Sequence, residues 1–403
     1  MNDLSLYIHI PFCVRKCNYC DFLSAPCDED TRQRYVESLC REIEERAEIF
    51  CNKKVDTIFF GGGTPSILLA EQMEKIMSAV RKVFRIQTDA EISIEMNPGT
   101  VDREKLEAYK RLGINRLSIG LQSANNEELK TLGRIHTWED FLQTWNTVRE
   151  IGFTNVNIDL MSALPGQTLE SYEETLRKVL ALKPEHISAY SLIVEEGTPF
   201  YEWFGEDGKR QKELPNEVTD RQMYELTKKL LEEQGYYRYE ISNYALKGYE
   251  CKHNVGYWKR KEYLGLGLGA ASLIADVRCT NITDLKTYLE VGEQKDCAHV
   301  CQKKKQESVE IDTTSQMWIE EQTELSQTDQ MEEFMFLGLR MMEGVSPEEF
   351  EKQFGKTLQE TYGKQLIKLE EQGLLEFCEE TKNYALTLQG IDVSNQVFAE
   401  FLF

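Results

Sequence analysis

What this 403-residue chain lacks narrows its function before any motif is considered. It has no long apolar run. The smoothest, Tyr263 to Ala275, is closed off by Glu262 and Asp276 and is too short to cross a bilayer. Its first residues, MNDLSLYIHI, have neither a basic segment nor a long apolar one, so no export signal is expected and a cytoplasmic setting follows. Positive charge is deficient, with 47 Lys and Arg against 69 Asp and Glu, a net charge of −22. Such a surface repels phosphate backbones, so no nucleic-acid partner is expected. Internal repeats are absent. There is also no paired set of cysteines: the 11 present are an odd number, clustered at one end and scattered elsewhere, which in a reducing compartment argues against a disulfide framework. Against these absences, a hydrophobic share of 41% with 10% aromatics is enough for a sizeable core.

Strand-like and helix-like runs alternate from the N-terminus to about residue 200. LSLYIHI, VDTIFF, AEISIEMN, INRLSIGLQ, TNVNIDLM and HISAYSLIV read as strands, separated by amphipathic helical stretches. Six such units imply an α/β fold with a parallel sheet of right-handed crossovers, short of the eight that close a barrel, and hence a partial (β/α)6 TIM-like barrel. Residues 201–290 read as an extension of this core. There Asn216 to Gln234 is helical, YYRYEISNYA a strand, and HNVGYW and EYLGLGLGAASLI further core. Residues 291–329 are polar and poorly periodic, as an insertion or linker would be. Residues 330–403 carry three helical runs and a hairpin-like GLLEFCEETKNYALTLQG, a helical, winged-helix-like order whose acidic runs argue for packing or a lid rather than DNA.

The chemistry-bearing residues fall at the carboxyl ends of the strands, where ligands sit in such sheets. Cys13, Cys17 and Cys20 follow the first strand, GGGTP (Gly61 to Pro65) the second, and Glu95 closes the third. Gln122 ends the fourth strand and Asp159 lies near the end of the fifth. The spacing C-x₃-C-x₂-C supplies three thiolates, one fewer than a closed tetrahedral site needs. Three readings stay open on the residues alone. These are incidental thiols, a zinc site completed by Cys27 or His9, or a [4Fe–4S] cluster with one iron free for another ligand. GGGTP lets backbone approach closely but lacks the Gly-Lys-Ser/Thr of a phosphate loop. GLGLGAA, Gly265 to Ala271, has no βαβ unit around it and is not a dinucleotide site.

PFCVRKCNYCDF resembles the cluster loop of the radical S-adenosylmethionine (SAM) superfamily, down to the aromatic Tyr19 before the last cysteine. Nearly the whole chain is similar to that superfamily's HemN/HemW group, which holds oxygen-independent coproporphyrinogen III oxidases and haem chaperones. The matching positions include Tyr7, HIPFC, GGGTP, Glu95, Gln122, Arg134 and IDLM. The resemblance implies a [4Fe–4S] cluster on Cys13, Cys17 and Cys20, with the amino and carboxylate groups of SAM on the fourth iron. It places Tyr7, Gly62 and Glu95 against one SAM, and Tyr19, Gly63, Thr64, Gln122, Arg134 and Asp159 against a second.

Three features look like the chaperone branch rather than the oxidases. Phe22 stands where an oxidase loop carries a fourth cysteine, only six residues precede Tyr7 where oxidases have an extension, and CKHNVGYW holds an H-N-x-x-Y-W pattern. This likeness implies haem on His253, with Cys251 the weaker alternative, lying against Tyr257 and Trp258. It further implies no catalytic residue, delivery of haem to haem-accepting respiratory proteins and transient membrane association. The alternatives are the oxidase itself, in which an adenosyl radical abstracts hydrogen from a propionate chain before decarboxylation, and a zinc-structured acidic scaffold.

Overall fold

A computed structural model of the protein describes residues 3–47, 50, 53–294 and 316–403. At its centre, β1 (Asp3–Ile10), β2 (Lys54–Gly62), β3 (Arg85–Met96), β4 (Arg116–Gln122), β5 (Val156–Ser162) and β6 (His186–Ser191) pair side by side, all parallel. The intervening helices are α1 (Glu29–Ala47), α2 (Ala70–Val83), α3 (Arg103–Arg111), α4 (Asn126–Leu132), α5 (Trp138–Ile151) and α6 (Leu169–Ala181). Local chemistry sets their ends. Asp102, Thr137 and Thr168 accept backbone N–H bonds at the starts of α3, α5 and α6, and Gly133 and Gly152 close α4 and α5 in the left-handed conformation.

A two-residue alternation runs through these strands. Leu4, Leu6, Ile8 and Ile10 of β1, Ile92, Ile94 and Met96 of β3, Leu117, Ile119 and Leu121 of β4, and Val156, Ile158 and Leu160 of β5 join the main hydrophobic core. The positions between them are polar yet equally buried: Ser5 and His9, Glu91 and Ser93, Arg116 and Ser118, Asn157, then His186 and Ser188. One face of the sheet therefore packs on helices. The other encloses a polar interior, unlike the uniformly apolar strands of most parallel sheets.

The sheet extends beyond the six expected strands to twelve and remains open, in the order β12-β11-β10-β9-β1-β2-β3-β4-β5-β6-β8-β7. YYRYEISNYA makes not one strand but two, β7 (Tyr237–Glu240) and β8 (Asn243–Ala245), turned back on one another beyond α7 (Pro199–Phe204) and α8 (Glu217–Glu233). HNVGYW is a short helix, α9 (Lys252–Trp258). β9 (Tyr263–Leu266) returns parallel to β1, and β10 (Ala271–Ile274) and β11 (Val277–Asn281) follow antiparallel, then α10 (Leu285–Glu293). Within the stretch read as a linker, Trp318 is fully buried and β12 (Ile319–Glu324) adds an edge strand to β11. That strand, IEEQTE, is polar at every position but the first, as suits an edge, so hydrophobic patterning does not reveal it. The linker's residues 295–315 lie outside the described residues.

The C-terminal segment has its own core of Met331, Met335, Phe350, Phe354, Tyr362 and Leu366. It comprises α11 (Gln327–Gly338), α12 (Pro347–Phe354), α13 (Leu358–Glu371) and the two-stranded ribbon β13 (Leu375–Cys378) and β14 (Asn383–Leu386).

The β9–β11 side of the sheet is fastened to α1 by Glu42. This fully buried carboxylate accepts from Gly267 N at 2.8 Å, Tyr288 Oη at 2.6 Å and Asn281 Nδ2 at 2.7 Å, and pairs with Arg46. Removing one partner of a buried ion pair strands the other without water, so Glu42→Ala should lose about 3–5 kcal/mol in urea unfolding. A loss below about 1 kcal/mol, the ordinary value of a single hydrogen bond, would show that the network is not structural.

Candidate functional site

A cavity of about 140 Å³ opens at the carboxyl ends of β1 to β5. It brings together Cys13, Cys17, Cys20, Tyr19, Gly62, Gly63, Thr64, Glu95, Gln122, Arg134 and Asp159, all singled out by the sequence. Cys13 is buried and the other two thiols are half-buried. Burial pushes the Cys13 and Cys20 thiols up, and the Arg134 guanidinium donates to Cys17 Sγ at 3.6 Å. Three thiols around one cavity, with Cys27 and His9 outside its lining, suit a cluster with an open corner rather than a closed zinc site. His9 has no nitrogen to spare: Nε2 donates to Leu23 O at 3.0 Å and Nδ1 accepts from Tyr7 Oη at 2.9 Å.

The glycines of GGGTP serve packing as much as access. At Gly62, with φ of +114°, a Cβ would stand 2.5 Å from the His9 ring, and at Gly63 it would stand 2.6 Å from Phe12 O. The absent side chains let the end of β2 nest against the cysteine loop, with Gly63 N and Thr64 N bonded to Ile10 O and Phe12 O.

On the opposite wall, patterning missed Asn97. Its Nδ2 donates to Thr64 Oγ1 at 2.9 Å and its Oδ1 accepts from Arg134 Nη2 at 2.5 Å, so one amide ties the loop after β2 to the arginine. Arg134 also donates to Gly120 O at 2.5 Å, where the pairing of β4 with β5 shifts register. Next along, Gln122 sits at φ 73°, rare for a residue with a side chain, and this turns it onto the cavity. The "MNP" around Asn97 was the only available signal, and it reads equally as a turn.

Two acidic groups line the floor. Asp159 accepts from Asn157 Nδ2 at 2.7 Å and Ser118 Oγ at 3.3 Å, and Glu95 accepts from Gly62 N at 3.1 Å. Burial, with Asp159 nearby, pushes Glu95 up to about 8. Neither carboxyl group forms an ion pair among the described residues. A floor of two such groups beside three thiols fits a cationic ligand carrying ammonium and sulfonium centres, as SAM does.

The remaining candidates lie elsewhere. Tyr7 does not line the cavity. With Tyr257, Trp258, Tyr263, Ala271, Leu273, Arg278 and Leu337 it forms a second concavity of about 290 Å³, a largely apolar, aromatic groove on the other side of β1. His253 stands behind this groove and is fully buried. Its Nδ1 is bonded to Thr57 Oγ1 at 2.8 Å and its Nε2 to Tyr257 Oη at 2.9 Å. Burial, then Arg116, hold its pKa down at about 3, so the ring is neutral. Both ring nitrogens of His253 are engaged, so an axial role would require Tyr257 to release Nε2. Cys251 is also buried, and Glu91 accepts from its thiol and from Lys252 N and His253 N, capping α9 from across the sheet.

A half-barrel whose first strand ends in three thiols around a cavity with a cationic ligand's complement is a radical SAM architecture. A family profile described as the Radical SAM superfamily matches residues 7–179, and one described as the HemN C-terminal domain matches residues 325–393. The superfamily implies a [4Fe–4S] cluster and SAM. The solved structure of coproporphyrinogen III oxidase (HemN) from Escherichia coli, described as a radical SAM enzyme, superposes with a TM-score of 0.82 at 26% identity, over 99% of this chain and 90% of that one. "Heme chaperone HemW" of Bacillus subtilis (strain 168) is 37% identical over 404 residues, 99% of both chains. The Escherichia coli (strain K12) protein of the same name is 41% identical over 268 residues, 66% of this chain and 69% of that one. The chain belongs to the HemW family.

Two outcomes follow from the cavity walls. Gly63→Ala drives a methyl group into Phe12 O, so it should cost about 1–3 kcal/mol and leave the reconstituted protein short of most of its iron. A full iron content would show that the loop yields. A carboxyl group raised from 4.5 to about 8 holds its proton in the folded chain and loses it in the unfolded one, so its contribution to stability falls between those pH values. The difference in urea stability between Glu95→Gln and the parent should accordingly grow in the variant's favour by up to about 1.4 kcal/mol per pH unit from pH 5 to 8, then level off. A pH-independent difference would contradict the raised value.

Proposed function

We propose that the chain is a cytoplasmic haem chaperone that binds haem, a [4Fe–4S] cluster and SAM, and hands haem to haem-accepting respiratory proteins, docking transiently at their membrane. The family carries the first part of this reading. The observation that carries it furthest here is the aromatic groove that gathers Tyr7, Tyr257, Trp258 and Tyr263. No helix among the described residues is long and apolar enough to cross a membrane.

The proposed division of labour follows the sequence. Residues 1–200 hold the cluster on Cys13, Cys17 and Cys20 and SAM beside Glu95, Asp159, Gln122 and Arg134. Residues 201–290 offer the haem surface, 291–329 connect, and 330–403 cover. When bound, the cluster supplies electrons at low potential. The chain's residues do the rest. Arg134 donates to Cys17, the carboxyl groups of Glu95 and Asp159 face a cation, and the groove offers flat rings to a macrocycle. The likeness to HemN supports a second reading, anaerobic oxidation of coproporphyrinogen; Phe22 on the cavity wall, where oxidases carry cysteine, speaks against it.

Haem titration of the cluster-reconstituted chain decides between them. Saturation near one haem per chain is expected, with His253→Ala weakening it at least about tenfold, or about 1.4 kcal/mol. Tyr257→Phe frees His253 Nε2 and should bind haem at least as tightly as the parent. Unchanged binding in His253→Ala would leave the histidine a structural residue. Absence of saturable binding, with coproporphyrinogen consumed in the presence of SAM and reductant, would return the chain to the oxidases.

A further inference from the structure

The aromatic groove has one charged wall. Arg278, on β11, lines it with its side chain 39% exposed, and donates to Glu333 Oε1 at 2.7 Å. Arg260, just after α9 and nearly buried, donates to the other oxygen, Oε2, at 2.7 Å, and pairs at 2.9 Å with Asp276. Glu333 belongs to α11, the first helix of the C-terminal segment, and is itself 5% exposed. Leu337, four residues on and so on the same helix face, also lines the groove. The same segment holds α9 through Arg340, stacked on the Trp258 ring at 4.4 Å, and through Glu343, paired with Lys259 at 2.7 Å.

A carboxylate shared between two guanidinium groups at the rim of an aromatic groove is the arrangement that a planar, carboxylate-bearing ligand would itself require. In a chain of net charge −22 such a ligand is repelled in general, and it needs a local cationic anchor. We propose that Glu333 is an internal stand-in for a haem propionate: Arg278 is the propionate anchor, and a ligand carboxylate exchanges with Glu333 there, loosening α11 from β11 as it enters. The exchange swaps one carboxylate for another on Arg278 while Arg260 keeps Glu333, and no covalent step is involved. This inference rests on reading the groove as the haem surface.

The test compares protoporphyrin IX with its dimethyl ester, which keeps the macrocycle and lacks the carboxylates, on the full reconstituted chain, with haem titrated in parallel. The parent should bind the free acid about tenfold more tightly than the diester, the worth of one charge-assisted bond. Arg278→Gln, at a partly exposed position, should abolish that preference by weakening the free acid about tenfold. Glu333→Gln, near-isosteric, should tighten the free acid about three- to tenfold and make the C-terminal segment more susceptible to proteolysis once ligand is bound. Equal binding of acid and diester by the parent would overturn the exchange while leaving the haem surface intact, as would an equal loss of both in Arg278→Gln or weaker acid binding in Glu333→Gln. Failure of haem and both porphyrins to bind would overturn the haem surface and this inference together.

Discussion

The structure depends on one constraint. A parallel sheet with a polar inner face, enclosed by its own strands and returning loops, must satisfy each buried donor and acceptor without bulk water. Ser5 Oγ and Arg116 Nε are exceptions, but a directional chain partners much of the rest. Asn157 Nδ2 donates to Asp159, and Asn157 Oδ1 accepts from His186 Nδ1 at 2.6 Å, which leaves His186 Nε2 to accept from Tyr239 Oη at 2.8 Å. Tyr239 Oη in turn accepts from Cys251 N at the start of α9. Burial and Arg116 hold His186 neutral, as this order of donors demands. Reversing any one link would leave two donors or two acceptors facing each other in the interior.

That chain also explains why two separate concavities belong to one unit. It begins at Asp159 on the cavity floor and ends at the cap of α9, whose Tyr257 and Trp258 face the groove. Glu91 completes the cap from β3, two positions before Ser93 and four before Glu95, so one strand supplies both the floor of the cavity and the anchor of the helix. Tyr7 performs the same service from β1, its ring on the groove and its hydroxyl on His9 behind the cysteine loop.

Much of this was legible in the residues. The alternation in LSLYIHI, AEISIEM and TNVNIDLM gives both the strands and their two faces, and the cysteine spacing and the strand-end Glu95, Gln122 and Asp159 mark the rim of one cavity. What stayed hidden was set by partners distant in sequence. HNVGYW folds as a helix because Glu91, some 160 positions earlier, supplies a cap that no neighbouring Ser, Thr or Asp provides. The engagement of His253 by Thr57 and Tyr257, and the placing of Tyr7 on the groove rather than the cavity, are likewise tertiary. Asn97 works through an amide that any turn could carry, and β12 is too polar for any hydrophobic pattern to find.

The two-faced strands separate the residues that hold the molecule together from those that handle ligands, alternating one by one along the same seven or eight positions. Substitutions on the inner face can therefore change what the molecule handles while the packing against the helices is left alone. The overlap with HemN, at a TM-score of 0.82 and 26% identity, is what such an arrangement permits: an architecture able to change its trade without first having to relearn how to fold.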